Sequence, residues 1–341
     1  MTNQQRVLLA AAAGAAAIAA AARVARSRRA IDFAGRRVVI TGGSRGLGLV
    51  MARQLAEQGA HLCLLARDVE ELARAREQLY ACGAPEVLLV RCDVRRRKDV
   101  RAAVDRIFDQ WHAIDVLINN AGIIQVGPLE HMSEEDFEDA MGTHFWGPLH
   151  LMFEIVPSMR RRGFGRIVNI TSIGGRIAVP HLAPYCASKF ALVGLSDAVR
   201  TELHQYGIRV TTVSPGLMRT GSPINADIKG QHEAEFAWFA IADALPGLTT
   251  SATRAARQIL EACRYGDPEL TITMPARVAA IMNQLAPSAT ARLLAVVNRV
   301  LPGPGGAAGD RERPGRQATS RWVPSRITML SDRAAAANNE L

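Results

Sequence analysis

The chain lacks the cysteine arrangement of a disulfide framework or a zinc site. Its five cysteines, Cys63, Cys82, Cys92, Cys186 and Cys263, are odd in number, have no metal-ligand spacing, and fall mostly on predicted strands and helices. They read as reduced thiols of a cytosolic protein, with no metal. A nucleic-acid signature is missing too. The net charge of +9 comes substantially from the ends, with Arg23, Arg26, Arg28 and Arg29 near one and Arg311, Arg313, Arg316, Arg321, Arg326 and Arg333 near the other. No basic stripe interleaved with aromatics crosses the interior, which argues against nucleic acid as a partner. Nor is there a comfortable membrane span. Val7 to Ala22 is uncharged over sixteen residues, a helix of about 24 Å against a hydrocarbon core of about 30 Å. Arg6 precedes this run and four arginines follow it, the polarity of an anchor whose C-terminal side faces the cytoplasm. Residues 1–30 are therefore read as an apolar N-terminal segment with possible membrane association. An alanine-rich helix without that role is the alternative.

What is present is a large apolar content, 48% of 341 residues, and an alternation of strand-like and helix-like segments. Arg36 to Gly48 reads RRVVITGGSRGLG, a β-branched run followed by glycines spaced for a strand, a tight turn and a helix start. Gly42 and Gly46 allow a pyrophosphate to approach the backbone. Gly48 allows close helix–sheet packing, and the free N–H groups of the helix attract anions. Buried strands are expected at Ala60 to Ala66, Val87 to Arg91, Val116 to Asn119, Arg166 to Thr171 and Ile208 to Ser214, with a last one at Glu269 to Thr273. The fold class is α/β, a doubly wound parallel sheet of Rossmann type spanning residues 31–274 as a single domain. A C-terminal helical extension, 275–303, and a tail without structure, 304–341, complete the chain.

Tyr185 and Lys189 stand four residues apart in PYCASKFALVGL, thirteen residues after Ser172. On the helix predicted over 184–206, positions i and i+4 share a face, so the ammonium lies beside the phenol and favours phenolate. On its own such a pair is more often a packed ring and a solvated charge. In company with TGGSRGLG (Thr41 to Gly48), NNAG (Asn119 to Gly122) and SPGLMRT (Ser214 to Thr220), it resembles the short-chain dehydrogenases/reductases over roughly Arg36 to Thr273. The resemblance implies Tyr185 as general acid/base, Lys189 as the group lowering its pKa and holding the nicotinamide ribose, and Ser172 as the residue polarising the carbonyl. It places the cofactor against Gly42, Ser44, Arg45, Gly46, Leu47, Gly48, Asp93, Val94, Asn119, Asn120, Ala121, Gly122, Pro215, Gly216 and Thr220. Asp93 would accept from the adenine amino group. Where the family usually has an asparagine that holds a relay water, THFWG puts His144.

The end of the second strand reads HLCLLARD, so Ala66 stands where NAD-using enzymes of this type place a carboxylate. Arg67 follows, and Arg45 lies in the glycine turn. Two guanidinium forks suit a 2′-phosphate, so NADP is expected, with NADPH preferred over NADH. The loop from Leu217 to Gly247 carries Phe236, Trp238, Phe239 and Ile241, which either line a pocket for an apolar substrate or anchor a lid helix. The activity expected is hydride transfer between NADP and a carbonyl or secondary alcohol of a lipophilic small molecule. The alternative is a membrane-associated NADP-binding protein of the same fold with little chemistry. A homodimer or homotetramer is expected, on the cytoplasmic face of the membrane if anchored and otherwise cytoplasmic. The apolar stretch from Pro275 to Leu301, interrupted by Pro287, is expected to pack against the core or a second subunit, the alternative being a helix that lies on a membrane surface or caps the substrate entrance.

Overall fold

A computed structural model of the chain describes residues 20–245, 247–318, 323 and 328–340, together with 4, 5, 14 and 17. The uncharged run at 7–22 lies mostly outside the described residues. Among those described, no helix is long and apolar enough to cross a membrane.

Seven strands form one sheet: β1 (Arg37–Thr41), β2 (His61–Ala66), β3 (Val87–Arg91), β4 (Val116–Asn119), β5 (Gly165–Ile170), β6 (Ile208–Pro215) and β7 (Glu269–Ile272). Their order is β7-β6-β5-β4-β1-β2-β3 and every pairing is parallel. Successive strand side chains point to opposite faces, and here both sets are apolar. Val38, Ile40, Leu62, Leu64, Val116 and Ile118 join one core cluster, while Val39, Cys63, Leu65, Leu117 and Ile167 join the other. A sheet greasy on both faces has to be covered twice. Helix α1 (Gly46–Ala56) and α2 (Val69–Ala81) cover the first face through Leu49, Met51, Leu55 and Leu72. Helix α3 (Arg97–Trp111) covers the second through Val100 and Ile107. The doubly wound sheet expected from the sequence is the architecture found.

After β3 the chain crosses back to put β4 on the other side of β1, with Val38 opposite Val116 and Ile40 opposite Ile118. This reversal opens a crevice at the carboxyl ends of β1 and β4, the usual ligand position in such sheets. Helix α4 (Glu134–Met141) runs through a π-helical segment, Gly142–Trp146, into α5 (Gly147–Arg162). Such π turns re-aim side chains, often at functional sites. Here the residue re-aimed is His144. Helix α6 (Ala183–Leu203) follows β5 with Pro184 in its first turn, where a missing N–H costs nothing. Helix α7 (His232–Ala244) lies in the region expected to serve as a lid, and α8 (Ala252–Tyr265) completes the first face.

The C-terminal third departs from expectation in two ways. Helices α9 (Met274–Leu285) and α10 (Pro287–Asn298), separated at Pro287, bury only Ala276 between them, and Val278, Ile281, Leu285, Leu293 and Val300 are exposed. Contact with the core is confined to the first of the two, through Ala276 against Gly216 and an Asn283 hydrogen bond to the Arg176 carbonyl at 2.9 Å. The described part of 304–341, expected to be without structure, folds back over the lid. Arg313–Pro314 pairs with Asp227–Ile228, which in turn pairs with Gln125–Val126. The glycines that suggest a linker serve close approach instead: a Cβ on Gly309 would lie 2.7 Å from the His131 ring, and one on Gly315 would lie 1.9 Å from the Pro223 carbonyl oxygen. Helix α11 (Met329–Ala337) then leads into the crevice.

Candidate active site and cofactor cleft

Gly42 leaves β1 with φ of +61°. A Cβ on Gly48 would stand 2.1 Å from the Gly42 carbonyl oxygen, so turn and helix touch with no space for a side chain. The first turn of α1 holds no acidic residue, leaving the positive helix end uncompensated from within. Asn120 ties the end of β4 to this turn. Its N–H and that of Ala121 donate to Thr41 Oγ1, each at 2.9 Å, and its amide donates to the Thr41 and Gly42 carbonyls at 3.0 and 3.1 Å. Asn119 is buried one layer below, donating to Asn169 Oδ1 at 2.8 Å.

These elements wall a cleft of about 560 Å³, within the range of small-molecule sites. It brings together Gly42, Ser44, Arg45, Gly46, Leu47, Arg67, Asp93, Val94, Asn120, Ala121 and Gly122 at one end. At the other lie His144, Ser172, Tyr185, Lys189, Pro215 and Gly216. Gly48, Asn119 and Thr220 support the walls without lining them, Thr220 through a 2.7 Å hydroxyl contact with Ser222.

At the inner end, Ser172 Oγ accepts from the Gly174 N–H at 3.0 Å and its hydroxyl faces the Tyr185 phenol. Lys189 is 4% exposed, donates to the Ile170 carbonyl at 3.0 Å, and sits 5.6 Å from the Tyr185 ring centre. Desolvation pushes Lys189 down to about 7. Burial pushes the Tyr185 phenol up to about 12, and the neighbouring Ser172 hydroxyl only partly offsets this. The sequence reading expected the ammonium to lower the phenol. In this conformation its proton donation goes to the Ile170 carbonyl and burial dominates, so the phenol stays protonated while Lys189 titrates near neutral pH. His144 is fully buried. Its Nδ1 contacts Ser188 Oγ at 2.7 Å, and its Nε2 accepts from the Ile123 N–H at 3.2 Å. Ser188 donates to the Tyr185 carbonyl at 2.9 Å, so the proton of the neutral ring belongs on Nδ1. Both ring nitrogens are thereby committed to the protein. Desolvation, and then the Lys189 charge, hold the imidazolium well below its ordinary range. His144 braces the start of α6 in the position where a water relay was expected.

At the outer end, Arg45 pairs with Glu71 at 3.0 Å, and Ser44 donates to the same carboxylate at 2.7 Å. Arg67 is exposed beside Ala66, and its guanidinium has no hydrogen bond or ion pair among the described residues. Burial works to raise the Asp93 carboxyl, but the Arg95 contacts, the shortest 2.9 Å, outweigh it and hold it below the ordinary range. The lid aromatics do not line the cleft. Phe236 and Phe239 are buried with Val126, Leu182 and Ile228, and Trp238 Nε1 donates to buried Glu235 at 2.6 Å, so they anchor the lid.

Three residues escaped sequence reasoning: Glu71, Asp243 and Glu340. Asp243 accepts from the Met218 N–H at 3.3 Å through one oxygen and leaves the other without a partner. Burial raises its carboxyl to about 8. None of the three sits in a motif. Glu71 alone has a signal, being a first-turn acid of the helix that follows the arginine-bearing strand end.

Residues 36–229 match the family described as short chain dehydrogenase. The chain is 38% identical over 199 residues to a 3-ketodihydrosphingosine reductase of Bacteroides thetaiotaomicron, covering 58% of this chain and 70% of that protein. It is 34% identical over 265 residues to dehydrogenase/reductase SDR family member 7B of Bos taurus, covering 76% and 80%. Among solved structures, L-sorbose reductase from Gluconobacter frateurii complexed with NADPH and L-sorbose superimposes with a TM-score of 0.64 at 27% identity, covering 71% of this chain and 97% of that one.

Proposed function

Since the chain belongs to the short-chain dehydrogenase family, and so to the NAD(P)-dependent oxidoreductases, we propose that it reduces a carbonyl of a lipophilic substrate with NADPH, or runs the reverse oxidation of a secondary alcohol. The observation that carries this reading is the meeting of Ser172, Tyr185 and Lys189 in one wall of a cleft that begins at the glycine turn. The cleft fits a dinucleotide: its turn tolerates no Cβ at Gly48, a helix N-terminus faces it, and Arg67 stands unpaired beside Ala66. Arg67 and Arg45 would hold the 2′-phosphate, the α1 N-terminus the pyrophosphate and Lys189 the ribose.

When bound, the reduced cofactor supplies the hydride to the carbonyl carbon. Ser172 turns its hydroxyl from the Tyr185 phenol to donate a hydrogen bond to the carbonyl oxygen, stabilising the negative charge that develops there. Tyr185, protonated across the neutral range because burial holds its phenol at about 12, delivers the proton that completes the alcohol. His144 keeps the Tyr185 backbone in place through Ser188. The resemblance to a 3-ketodihydrosphingosine reductase supports a lipophilic substrate.

A second reading, an NADP-binding protein with little chemistry, draws on His144, whose ring nitrogens leave no position for a relay water. Turnover separates the two. NADPH oxidation by the full chain across ketones and aldehydes of graded chain length should show activity that rises with chain length. Cofactor binding without turnover on any member of the series would favour the second reading.

A further inference from the structure

The chain's own C-terminal segment enters the cofactor cleft at the point where phosphate would bind. The Gly46 N–H, first of the α1 N-terminal donors, gives its hydrogen bond to the Asn338 carbonyl at 2.9 Å. Asn339 donates to the Ser44 carbonyl at 3.2 Å. Glu340 Oε2 accepts from the Gly221 N–H at 2.8 Å, and Oε1 lies so close to Gly46 that a Cβ there would stand 3.0 Å away. The Glu340 carboxyl thus lies against the N-terminal end of α1, which has no acidic residue in its own first turn, where the glycine turn was read as accommodating a pyrophosphate.

We propose that residues 338–340, carried by α11, form a built-in plug of the dinucleotide phosphate site, which NADP(H) must displace in order to bind. The inference rests on the dinucleotide reading above. Two features make the plug exchangeable. First, the glycine-turn donor it occupies, the Gly46 N–H, is held by a backbone carbonyl, that of Asn338, so a phosphate oxygen offers this donor an equivalent partner. Second, it is held from outside the cleft by Arg53, which donates to Asn338 Oδ1 at 3.0 Å and to the Ala337 carbonyl at 2.7 Å. The docked fraction therefore lowers apparent cofactor affinity by the share of molecules in which the cleft is closed.

The test is NADPH and NADH titration, by nucleotide fluorescence, of the full chain at pH 6. Glu340→Ala should bind both nucleotides about tenfold more tightly, because the pyrophosphate is common to both, and Arg53→Ala should shift affinity the same way by less. In parallel, saturating NADPH should accelerate release of C-terminal residues from the wild-type chain by carboxypeptidase. Unchanged or weaker binding by Glu340→Ala, or protection of the C-terminus by NADPH, would overturn the plug while leaving the dinucleotide reading intact. If neither protein binds either nucleotide, the dinucleotide reading fails and the plug with it.

Discussion

The two ends of the cleft are built on different principles. At the inner end Lys189, Ser188 and His144 are buried, and each is held by a partner no more than 21 positions away: Ile170, Tyr185 and Ile123. The outer end is assembled from exposed or half-exposed arginines and a tail arriving from far along the chain, with Ser44 and Asn339 separated by 295 positions. A site that does chemistry needs groups fixed within a fraction of an ångström, which packing supplies. A site that must admit and release a large anion is better served by contacts that exchange readily. The contrast predicts that damage at the inner end abolishes turnover or folding, and that damage at the outer end only rescales affinity.

The largest effect should come from Tyr185→Phe, which deletes one oxygen and keeps the ring among its neighbours. Turnover should fall by about 10²- to 10⁴-fold with NADPH affinity nearly unchanged. Retention of most of the activity would move the proton donor elsewhere. His144→Ala comes next. It orphans the Ile123 N–H, removes the donor to Ser188 Oγ and leaves a cavity, a loss of about 3 kcal/mol that should lower Tm by roughly 6–12 °C. A bracing role also predicts a fall in kcat with cofactor affinity preserved. An unchanged Tm with collapsed kcat would restore His144 as a proton relay.

How much of this was legible beforehand follows the same division. The strands could be read because both faces of each are buried, so Val38 to Ile40 and Leu62 to Leu65 are unbroken apolar runs. Tyr185 and Lys189 could be read because a helix converts a spacing of four into a shared face. The direction of their titration could not, because it depends on how deeply the sheet buries them, and pairwise spacing carries no burial. Arg45 was legible as a cation in the turn, but its partner Glu71 lies 26 positions away with no motif joining them. The tail was misjudged for a physical reason. Gly309 and Gly315 look like linker residues by composition, yet they pair and pack through backbone alone, and backbone contacts leave no side-chain pattern.

At the outer end the arginines should not be equivalent. Arg67 is free to close on a 2′-phosphate, whereas Arg45 must first share or leave Glu71. Arg67→Ala should weaken NADPH about tenfold and leave NADH nearly unchanged, as expected for the loss of one charge-assisted contact worth about 1.5–3 kcal/mol. Arg45→Ala should cost less. Equal wild-type affinities for NADPH and NADH would count against both assignments.

The smallest effect is a pH dependence of the outer end. Burial raises the Glu340 carboxyl to about 7, the Gly221 N–H works against that shift, and the facing charges are Arg45 at the start of α1 and Glu71 on α2, with Asp243 on the lid helix. A carboxyl whose pKa is higher docked than free favours docking in its protonated form. That contribution is complete below the ordinary glutamate value of about 4.3 and is lost as pH rises through about 7. Wild-type NADH affinity should therefore improve by a few-fold between about pH 5 and pH 8. NADH is the nucleotide to use, since its lack of a 2′-phosphate removes a second group that titrates near pH 6. Glu340→Ala should lose this component of the profile while keeping that of Lys189, so the two proteins should differ most at low pH and converge at high pH. Parallel profiles for the two proteins would mean that the Glu340 carboxylate does not compete for the cleft, and the difference between its two ends would then rest on Arg67 and Arg45 alone.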